Sequence, residues 1–372
     1  MMNKVIAAGL LLSVGLLGSG FAATVAEPPG VSITNGMVNA KLWIPDVDNG
    51  YYRSTRFDWS GSIWSLESGG HTYFGQWFPL YDPKKHDSIT GPVEDYAPLN
   101  YTEAKPGETF VKIGVGVLKR LDDQPYRFSA PYELLDTGKW STRMGPDFVE
   151  YRHEVADPKS GYAYIYTKTV RLTAGKQQMT IDHNLKNTGT KAIATNVYNH
   201  GFFMLDSQPT GPDFTVTFRF DIKAARSMNG MAEVRGNQIV YLQELQPNAN
   251  ANAAPAGAVV AGAAPGGTPV GLGGRGAGPA VVSGWVGSGA STPVEGFSTA
   301  DPKDFDIRIE NHKTGAGVRI TADRPLWRIN FWSVRTTVCP EAYVEVKADP
   351  GEETSWRLTY DFYALAPAGE QR

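Results

Sequence analysis

The chain has 372 residues, and 35 Lys and Arg against 38 Asp and Glu give a formal net charge of -3 with both signs spread along the sequence. No basic stripe is present, so nucleic acid is not an expected partner. The single cysteine, Cys339, excludes an intramolecular disulfide and a cysteine-cluster metal site. The chain is rich in aromatic residues, with 16 Phe, 17 Tyr and 9 Trp, which can fill a core or stack on the C–H faces of sugars.

The N-terminal segment has the order of a secretory signal peptide. A lysine is followed by an apolar run from Val5 to Leu17 and then by small residues, with cleavage expected after Ala22 or Ala26. We therefore expect residues 1–26 to be removed and residues 27–372 to form a secreted or periplasmic protein. No other stretch approaches the roughly 20 apolar residues that a membrane span requires, so we expect none.

Alternation of apolar and polar residues predicts the regular structure of the mature chain. This period of two is typical of strands with one buried face. Gly, Pro, Asn and Asp turns separate the alternating stretches. The pattern predicts an all-β protein with antiparallel sheets packed as a sandwich. Strands are predicted at Tyr162 to Leu172, Met179 to Leu185, Phe214 to Asp221, Trp327 to Val334 and Ser355 to Phe362.

The composition changes between residues 247 and 289 to Ala, Gly, Pro and Val with almost no charge. Such a segment buries too little large apolar area to offset the entropy of ordering it. It can be a domain linker or a flexible surface insertion. We favour an insertion in one domain spanning residues 27–372, because the segment after it is short for an independent β domain and supplies strands that the first part needs.

Asn199 and His200 stand just before Gly201, where a strand is expected to end. A histidine at that place can face a cleft and transfer protons. It can equally be a structural histidine that is hydrogen-bonded to a neighbouring backbone group. Both interpretations of His200 stay open at the level of the sequence.

Glu341 follows Cys339 and Pro340, with aromatic residues such as Trp332 shortly before it. A glutamate beside buried aromatic groups can have its pKa raised towards the range of a general base. It can also be a surface carboxylate in a turn after a proline. Trp332 is a candidate for stacking on a sugar ring.

A third set of candidates lies in the irregular stretch from residue 52 to residue 96. Arginine, glutamine, histidine and carboxylates occur there together with aromatic residues, and polyol sites use such donors and rings. A polar coil has a similar composition, and only the density of the set favours a sugar site. The predicted substrate-binding residues are Arg56, Gln76, His86 and Glu94, joined by Asn199 and Trp332.

Several other chemistries lack their sequence signatures. The six histidines show no tight metal-ligand spacing, and no Gly-x-Ser-x-Gly elbow or phosphate-binding loop with its flanking strand and helix is present. We therefore expect neither a metal nor a cofactor. Carboxylates and imidazoles remain, and they suit proton transfer at a sugar.

Short motifs in this chain resemble those of the galactose mutarotase-like superfamily, which includes aldose 1-epimerases and hexose-phosphate mutarotases. One departure is Ala342, which stands where the family has a proline. The resembling stretches are Arg56 to Leu66, Leu185-x-Asn187-x-Gly189, Tyr198-Asn199-His200-x-Phe202-Phe203-x-Leu205, Val338-Cys339-Pro340-Glu341 and Asp349-Pro350-Gly351-Glu352-x-x-x-Trp356.

The resemblance implies a β-supersandwich, two large antiparallel sheets with a sugar bound at one face. It also implies that His200 is the acid that protonates the ring oxygen and Glu341 the base that removes the anomeric hydroxyl proton. Arg56 and His86 take the positions of substrate donors, and no cofactor is needed.

Three functions remain open: an exported aldose 1-epimerase-like mutarotase, a non-catalytic glycan-binding protein of the same fold, and a glycan-cleaving enzyme. The last would use Glu94 with Glu341, and their carboxyl groups would have to lie about 5 to 9.5 Å apart.

Overall fold

A computed structural model describes residues 27–247 and 289–366 of the chain. The regular elements in this part are strands and two short 3₁₀ turns, Leu205–Ser207 and Pro302–Asp304. The strands in chain order are β1 (Gly30–Thr34), β2 (Val38–Trp43), β3 (Ile63–Ser68), β4 (His71–Phe74), β5 (Val93–Tyr96), β6 (Thr109–Lys112), β7 (Gly116–Lys119), β8 (Glu133–Asp136), β9 (Lys139–Met144), β10 (Phe148–Asp157), β11 (Tyr162–Leu172), β12 (Gln178–Asn187), β13 (Ile193–His200), β14 (Phe214–Phe218), β15 (Lys223–Ala224), β16 (Ala232–Arg235), β17 (Gln238–Tyr241), β18 (Ala290–Glu295), β19 (Asp306–Asn311), β20 (Ala316–Ala322), β21 (Arg328–Val334), β22 (Thr337–Ala348) and β23 (Glu353–Ala364).

Two large sheets organise the molecule. A ten-stranded sheet has the order β16-β17-β14-β19-β20-β23-β12-β11-β10-β9, and a six-stranded sheet has the order β15-β18-β21-β22-β13-β5. Every pairing in both sheets is antiparallel. Two smaller sheets, β1-β2-β3-β4 and β6-β7-β8, lie beside them. The prediction of an all-β antiparallel sandwich is confirmed.

Alternation along the strands divides each large sheet into an inner and an outer face. On the six-stranded sheet, Ile329 and Phe331 of β21 and Val344 of β22 point into the main core, where they join side chains of the ten-stranded sheet such as Ile181 and Tyr360. These buried apolar side chains hold the two sheets together, each contributing roughly 1.5 to 3 kcal/mol relative to an exposed one.

The outer face of the six-stranded sheet is covered by irregular segments that join β2 to β3, β4 to β5 and β7 to β8. A second cluster of buried side chains packs there, and it is largely aromatic. It includes Phe57, Trp77, Tyr126 and Phe202. This cover buries polar groups of the sheet that would otherwise lie in water, which is the condition for shifted pKa values.

Strands from both sides of the Ala/Gly/Pro-rich segment share the same sheets. In the ten-stranded sheet β14 pairs with β19, and in the six-stranded sheet β13 pairs with β22. The predicted signal peptide, residues 1–26, and most of the predicted flexible insertion, residues 248–288, lie outside the described residues. In the described part of the chain, no helix is long and apolar enough to cross a membrane.

Candidate functional site

Strand register builds a row of polar side chains across the outer face of the six-stranded sheet. Asn330 of β21 pairs with Glu341 of β22. The pairing of Tyr198 with Tyr343, extended by two residues, sets His200 of β13 opposite Glu341. Directly opposite residues of an antiparallel pair point to the same face, so the three side chains of the row are neighbours.

The His200 and Glu341 side chains meet in this row. His200 Nε2 lies 3.3 Å from Glu341 Oε1, and the side chains are 3% and 9% exposed. Asn330 donates a hydrogen bond from Nδ2 to the second oxygen, Glu341 Oε2, at 2.9 Å. The two residues predicted to carry the chemistry are therefore brought together, although their roles stay predictions.

The electrostatics of the row suit proton exchange near neutral pH. Burial raises the pKa of Glu341 to about 7, and the Asn330 hydrogen bond and the Arg56 and Arg328 guanidinium groups oppose that shift. Burial, reinforced by Arg56, lowers the pKa of His200 well below its ordinary value. The carboxyl group thus changes protonation state near pH 7, while the imidazole is neutral there.

Cys339 contacts the other side of the His200 ring. Its Sγ atom lies 2.6 Å from His200 Nδ1 and accepts a hydrogen bond from the Phe202 backbone N–H at 3.1 Å. Burial, and next the negative charge of Glu341, raise the pKa of the Cys339 thiol well above its usual range. The thiol is therefore protonated at neutral pH.

Arg56 and His86 converge on Asp87 beside this pair. Arg56 is ion-paired with Asp87, lies 3.1 Å from Asp95 through Nε, and donates to the Tyr198 hydroxyl at 2.9 Å. His86 Nε2 lies 3.0 Å from Asp87. Burial opposes ionisation of Asp87, but Arg56 and His86 outweigh it and hold the pKa of Asp87 below its ordinary value. The structure thus brings Arg56 and His86 near His200.

Aromatic rings form the walls around the histidine. His200 stacks on Phe202 with ring centroids 3.7 Å apart, and Trp332 meets its edge at 5.5 Å. Phe128 lies over the Arg56 guanidinium at 3.8 Å and beside His86 at 5.5 Å. Trp332 and Phe128 are only partly buried, so flat apolar surfaces flank the polar row as they do in sugar sites.

Glu94 and Asn199 lie on the inner face, away from this row, which does not fit their predicted role in substrate binding. Asn199 donates to Glu94 at 2.8 Å and accepts from the Tyr360 hydroxyl of the ten-stranded sheet at 2.6 Å. Glu94 is 1% exposed and ion-paired with Lys168 and His183. Asn199 and His200 are adjacent in one strand, so their side chains point to opposite faces.

Gln76 also differs from its predicted place. Its side chain is exposed and donates a hydrogen bond to the backbone carbonyl of Phe78 at 3.1 Å. Its neighbour Trp77 does belong to the site surroundings, because it stacks on Phe202 at 4.7 Å and meets Trp332 at 5.7 Å. The Gln76 amide therefore stabilises its own loop, and Trp77 is part of the aromatic surroundings of the site.

Sequence reasoning missed several residues of the site. In β21, Asn330 and Trp332 are two residues apart and share a face, as do Cys339 and Glu341 in β22. The period of two along these strands therefore indicates both Asn330 and Cys339 as neighbours of the predicted site residues. Asp87 stood in the polar loop stretch but no pattern distinguished it there. Phe128 lies in an irregular segment, and no local signal indicates its contact with Arg56.

Several solved structures are similar to this chain over most of its length. The GalM/aldose epimerase homologue from C. elegans has 12% identity and a TM-score of 0.49, covering 91% of this chain and 99% of that chain. The galactose mutarotase related enzyme from Lactobacillus acidophilus has 10% identity and a TM-score of 0.48, covering 91% and 98%. A galactose mutarotase-like protein from Clostridium acetobutylicum has 10% identity and a TM-score of 0.50, covering 90% and 95%.

The fold is galactose mutarotase-like. No protein-family model matches the chain, and no curated protein matches it in sequence. At 10% identity the likeness shows the fold alone, so the function of this protein has to be argued from its own site. Within the described ranges, no cluster of three or more His, Cys, Asp or Glu side chains is arranged to hold a metal ion.

Proposed function

We propose that this protein is an aldose 1-epimerase-like isomerase that interconverts the anomers of a sugar at the His200–Glu341 pair. The observation that carries the proposal is the buried contact of 3.3 Å between the imidazole and a carboxyl group whose pKa lies at about 7. A general base works best when its pKa is close to the working pH. An ordinary surface glutamate would lack this property.

Anomer interconversion needs one proton to move between two oxygens. The anomeric hydroxyl loses a proton, the bond from the anomeric carbon to the ring oxygen breaks, and the ring oxygen gains a proton. In our proposal the Glu341 carboxylate takes the hydroxyl proton and His200 Nε2 faces the ring oxygen. Rotation about the C1–C2 bond presents the other face of the carbonyl group, and closure in reverse order gives the other anomer.

The surrounding groups suit a polyol. Arg56 and His86 supply nitrogen donors beside the pair, and the partly exposed rings of Phe128 and Trp332 can cover the C–H faces of a sugar. The placement of Glu94 opposes the competing idea of glycan cleavage by Glu94 and Glu341, because both Glu94 oxygens are engaged inside the core.

The test is the rate of mutarotation of freshly dissolved α-D-glucose and α-D-galactose, followed by polarimetry or proton NMR. We expect acceleration by the wild-type protein and a loss of about 10²-fold or more in Glu341→Gln and in His200→Asn, the usual scale for losing a general acid or base.

Matched controls are available for both variants. Glu345→Gln makes the same change at an exposed position of β22, and His312→Asn removes an exposed histidine that contacts Thr215. Both controls should keep wild-type rates. Unchanged rates in both Glu341→Gln and His200→Asn would refute the proposed site. Sugar binding without acceleration by the wild type would instead favour a non-catalytic glycan-binding protein.

A further inference from the structure

Resting on the proposed function, we infer that the Cys339 thiol holds His200 as a neutral imidazole with its single N–H at Nε2. His200 then donates a hydrogen bond to the ring oxygen without giving up its proton, and Glu341 alone carries the proton between the two sugar oxygens. Cys339 is a positioning residue in this scheme, because it acts through His200. This assigns His200 a different task from the acid role that the resemblance implies.

The hydrogen bonds around the sulfur support this tautomer. Cys339 Sγ already accepts the Phe202 N–H at 3.1 Å, and the Gly201 backbone N–H also bonds to it. A thiol has one S–H to donate. Directed at His200 Nδ1, 2.6 Å away, that proton leaves Nδ1 as an acceptor. The ring proton of the neutral imidazole must then sit on Nε2, the nitrogen that faces Glu341.

The surroundings also disfavour a charged imidazolium. A histidine that acts as an acid is commonly held by a carboxylate at its second nitrogen, whereas Nδ1 of His200 faces an uncharged thiol. Arg56 adds positive charge nearby and lowers the pKa of His200 further. The ring is 3% exposed and stacked on Phe202 at 3.7 Å, so water does not solvate a charged ring there.

Neutral His200 leaves the proton transfers to Glu341. A neutral imidazole that lost its N–H proton would become an imidazolate anion. Forming that anion is energetically much less favourable than donating a hydrogen bond to the negative charge that develops on the ring oxygen. The anomeric hydroxyl and the ring oxygen are bonded to the same carbon, so one carboxylate can reach both. Glu341 takes the hydroxyl proton as the ring bond breaks, and the resulting carboxylic acid returns it to the ring oxygen that Nε2–H has stabilised.

Charged and titratable groups approach this pair from every element packed against it. Asp87 opposes the effect of Arg56 on His200, and Arg328 opposes the effect of burial on Glu341. The charged and titratable groups that surround His200 and Glu341 are Arg56, His86, Asp87, Asp95, Tyr198, Arg328, Cys339 and Tyr343.

The first test is the pH dependence of kcat/KM for mutarotation between about pH 5 and pH 9, corrected for the uncatalysed rate. A carboxylate working with a neutral imidazole predicts a rate that rises through about pH 7, the pKa of Glu341, and then stays level. If His200 is instead an imidazolium acid, the rate should fall again above pH 7, because the active form then needs a proton on the group with the lower pKa. That fall would overturn the inference.

The second test reads the His200 ring directly by ¹⁵N NMR, with His200→Asn used to assign its signals. We expect the Nε2–H tautomer in the wild type and in Cys339→Ser, whose hydroxyl can also donate to Nδ1. We expect a tautomer mixture in Cys339→Ala, together with a loss of about tenfold in kcat, the scale of one hydrogen bond, and a nearly unchanged KM. Cys339→Ser should stay within about threefold of the wild type.

The two proposals fail in different ways. A wild-type protein that accelerates no anomer contradicts the proposed function, and the tautomer then decides the inference alone. An Nδ1–H tautomer or a protonated ring at neutral pH overturns it, as does a Cys339→Ala protein with an unchanged spectrum and rate. If Cys339→Ala does not fold, the wild-type and Cys339→Ser spectra still decide.

Discussion

Two buried carboxylate–histidine pairs have their carboxylates on opposite faces of the six-stranded sheet, and their surroundings differ. The outer pair is Glu341 with His200, and the inner pair is Glu94 with His183. Burial alone raises the pKa of either carboxylate, because it removes water from the charged form. In the inner pair this effect is outweighed by Lys168 and His183, and the pKa of Glu94 falls to about 2.

The outer pair has no comparable compensation. Glu341 receives one amide hydrogen bond, and the guanidinium groups near it act at longer range. Its pKa therefore rises to about 7. A buried carboxylate beside a histidine therefore forms a structural ion pair when a lysine contacts it. When only neutral groups contact it, the carboxyl group can exchange a proton near neutral pH.

Removing the lysine should have the largest effect on stability. Lys168 is fully buried between Glu94 and Asp58, and Lys168→Met leaves two carboxylates without their cation. We expect the free energy of unfolding at pH 7 to fall by about 3 to 5 kcal/mol, or folding to fail, because unpaired buried charges are costly. Denaturant titration measures the change.

The control for this variant is Lys186→Met, which removes an exposed lysine of β12. It should change the free energy of unfolding by less than about 0.5 kcal/mol. If the Lys168→Met protein is as stable as this control, the positive charge of Lys168 does not stabilise the inner pair. That result would contradict the proposed difference between the two pairs.

The same substitution in the two pairs should change stability in opposite directions at pH 8. Glu341 has a folded pKa of about 7 against an ordinary value of 4.5, so its ionisation costs stability as the pH rises from 4.5 to 7. Glu341→Gln removes a cost of up to about 3 kcal/mol. Glu94 has a lowered pKa and contributes stability above 4.5 that is lost as the pH falls through about 2, so Glu94→Gln should destabilise the fold.

Thermal or denaturant unfolding at pH 8 and pH 4 measures both effects. The stabilisation by Glu341→Gln should nearly vanish at pH 4, where the carboxyl group is mostly protonated in both states. Exposed Glu345→Gln serves as the control at both pH values. Shifts of the same sign in Glu341→Gln and Glu94→Gln at pH 8 would contradict the assigned difference between the pairs.

The smallest predicted effect concerns Asn330, the amide that touches Glu341. Asn330→Ala removes the hydrogen bond of 2.9 Å to the carboxyl group, which holds its pKa down. The rising limb of the activity profile should move up by about one pH unit, equivalent to about 1.4 kcal/mol. Asn184→Ala removes an amide that bonds Ser355 on the ten-stranded sheet, and its profile should match the wild type. An unshifted limb in Asn330→Ala would show that another group titrates.

Local alternation predicted β11, β12, β14, β21 and β23, and the same period of two also divides residues of the site between the two faces of a strand. Since Asn199 and His200 are consecutive in a strand, period two excludes a shared face, and the same rule separates Glu94 from Asp95. The rule does not say which face meets the ligand. That choice depends on where Lys168 and Tyr360 of the ten-stranded sheet lie, which no local pattern contains.

The sequence by itself determined the all-β architecture and the end of β13 at His200, because strand periodicity is a local property. Only the tertiary structure decided that Cys339 contacts a histidine 139 residues away and that Glu341 lies opposite it. Register between distant strands sets those contacts, and the loops that cover the sheet set the burial. Because removal of water determines both pKa values, the chemistry of the pair arises from packing that is not encoded in any single segment.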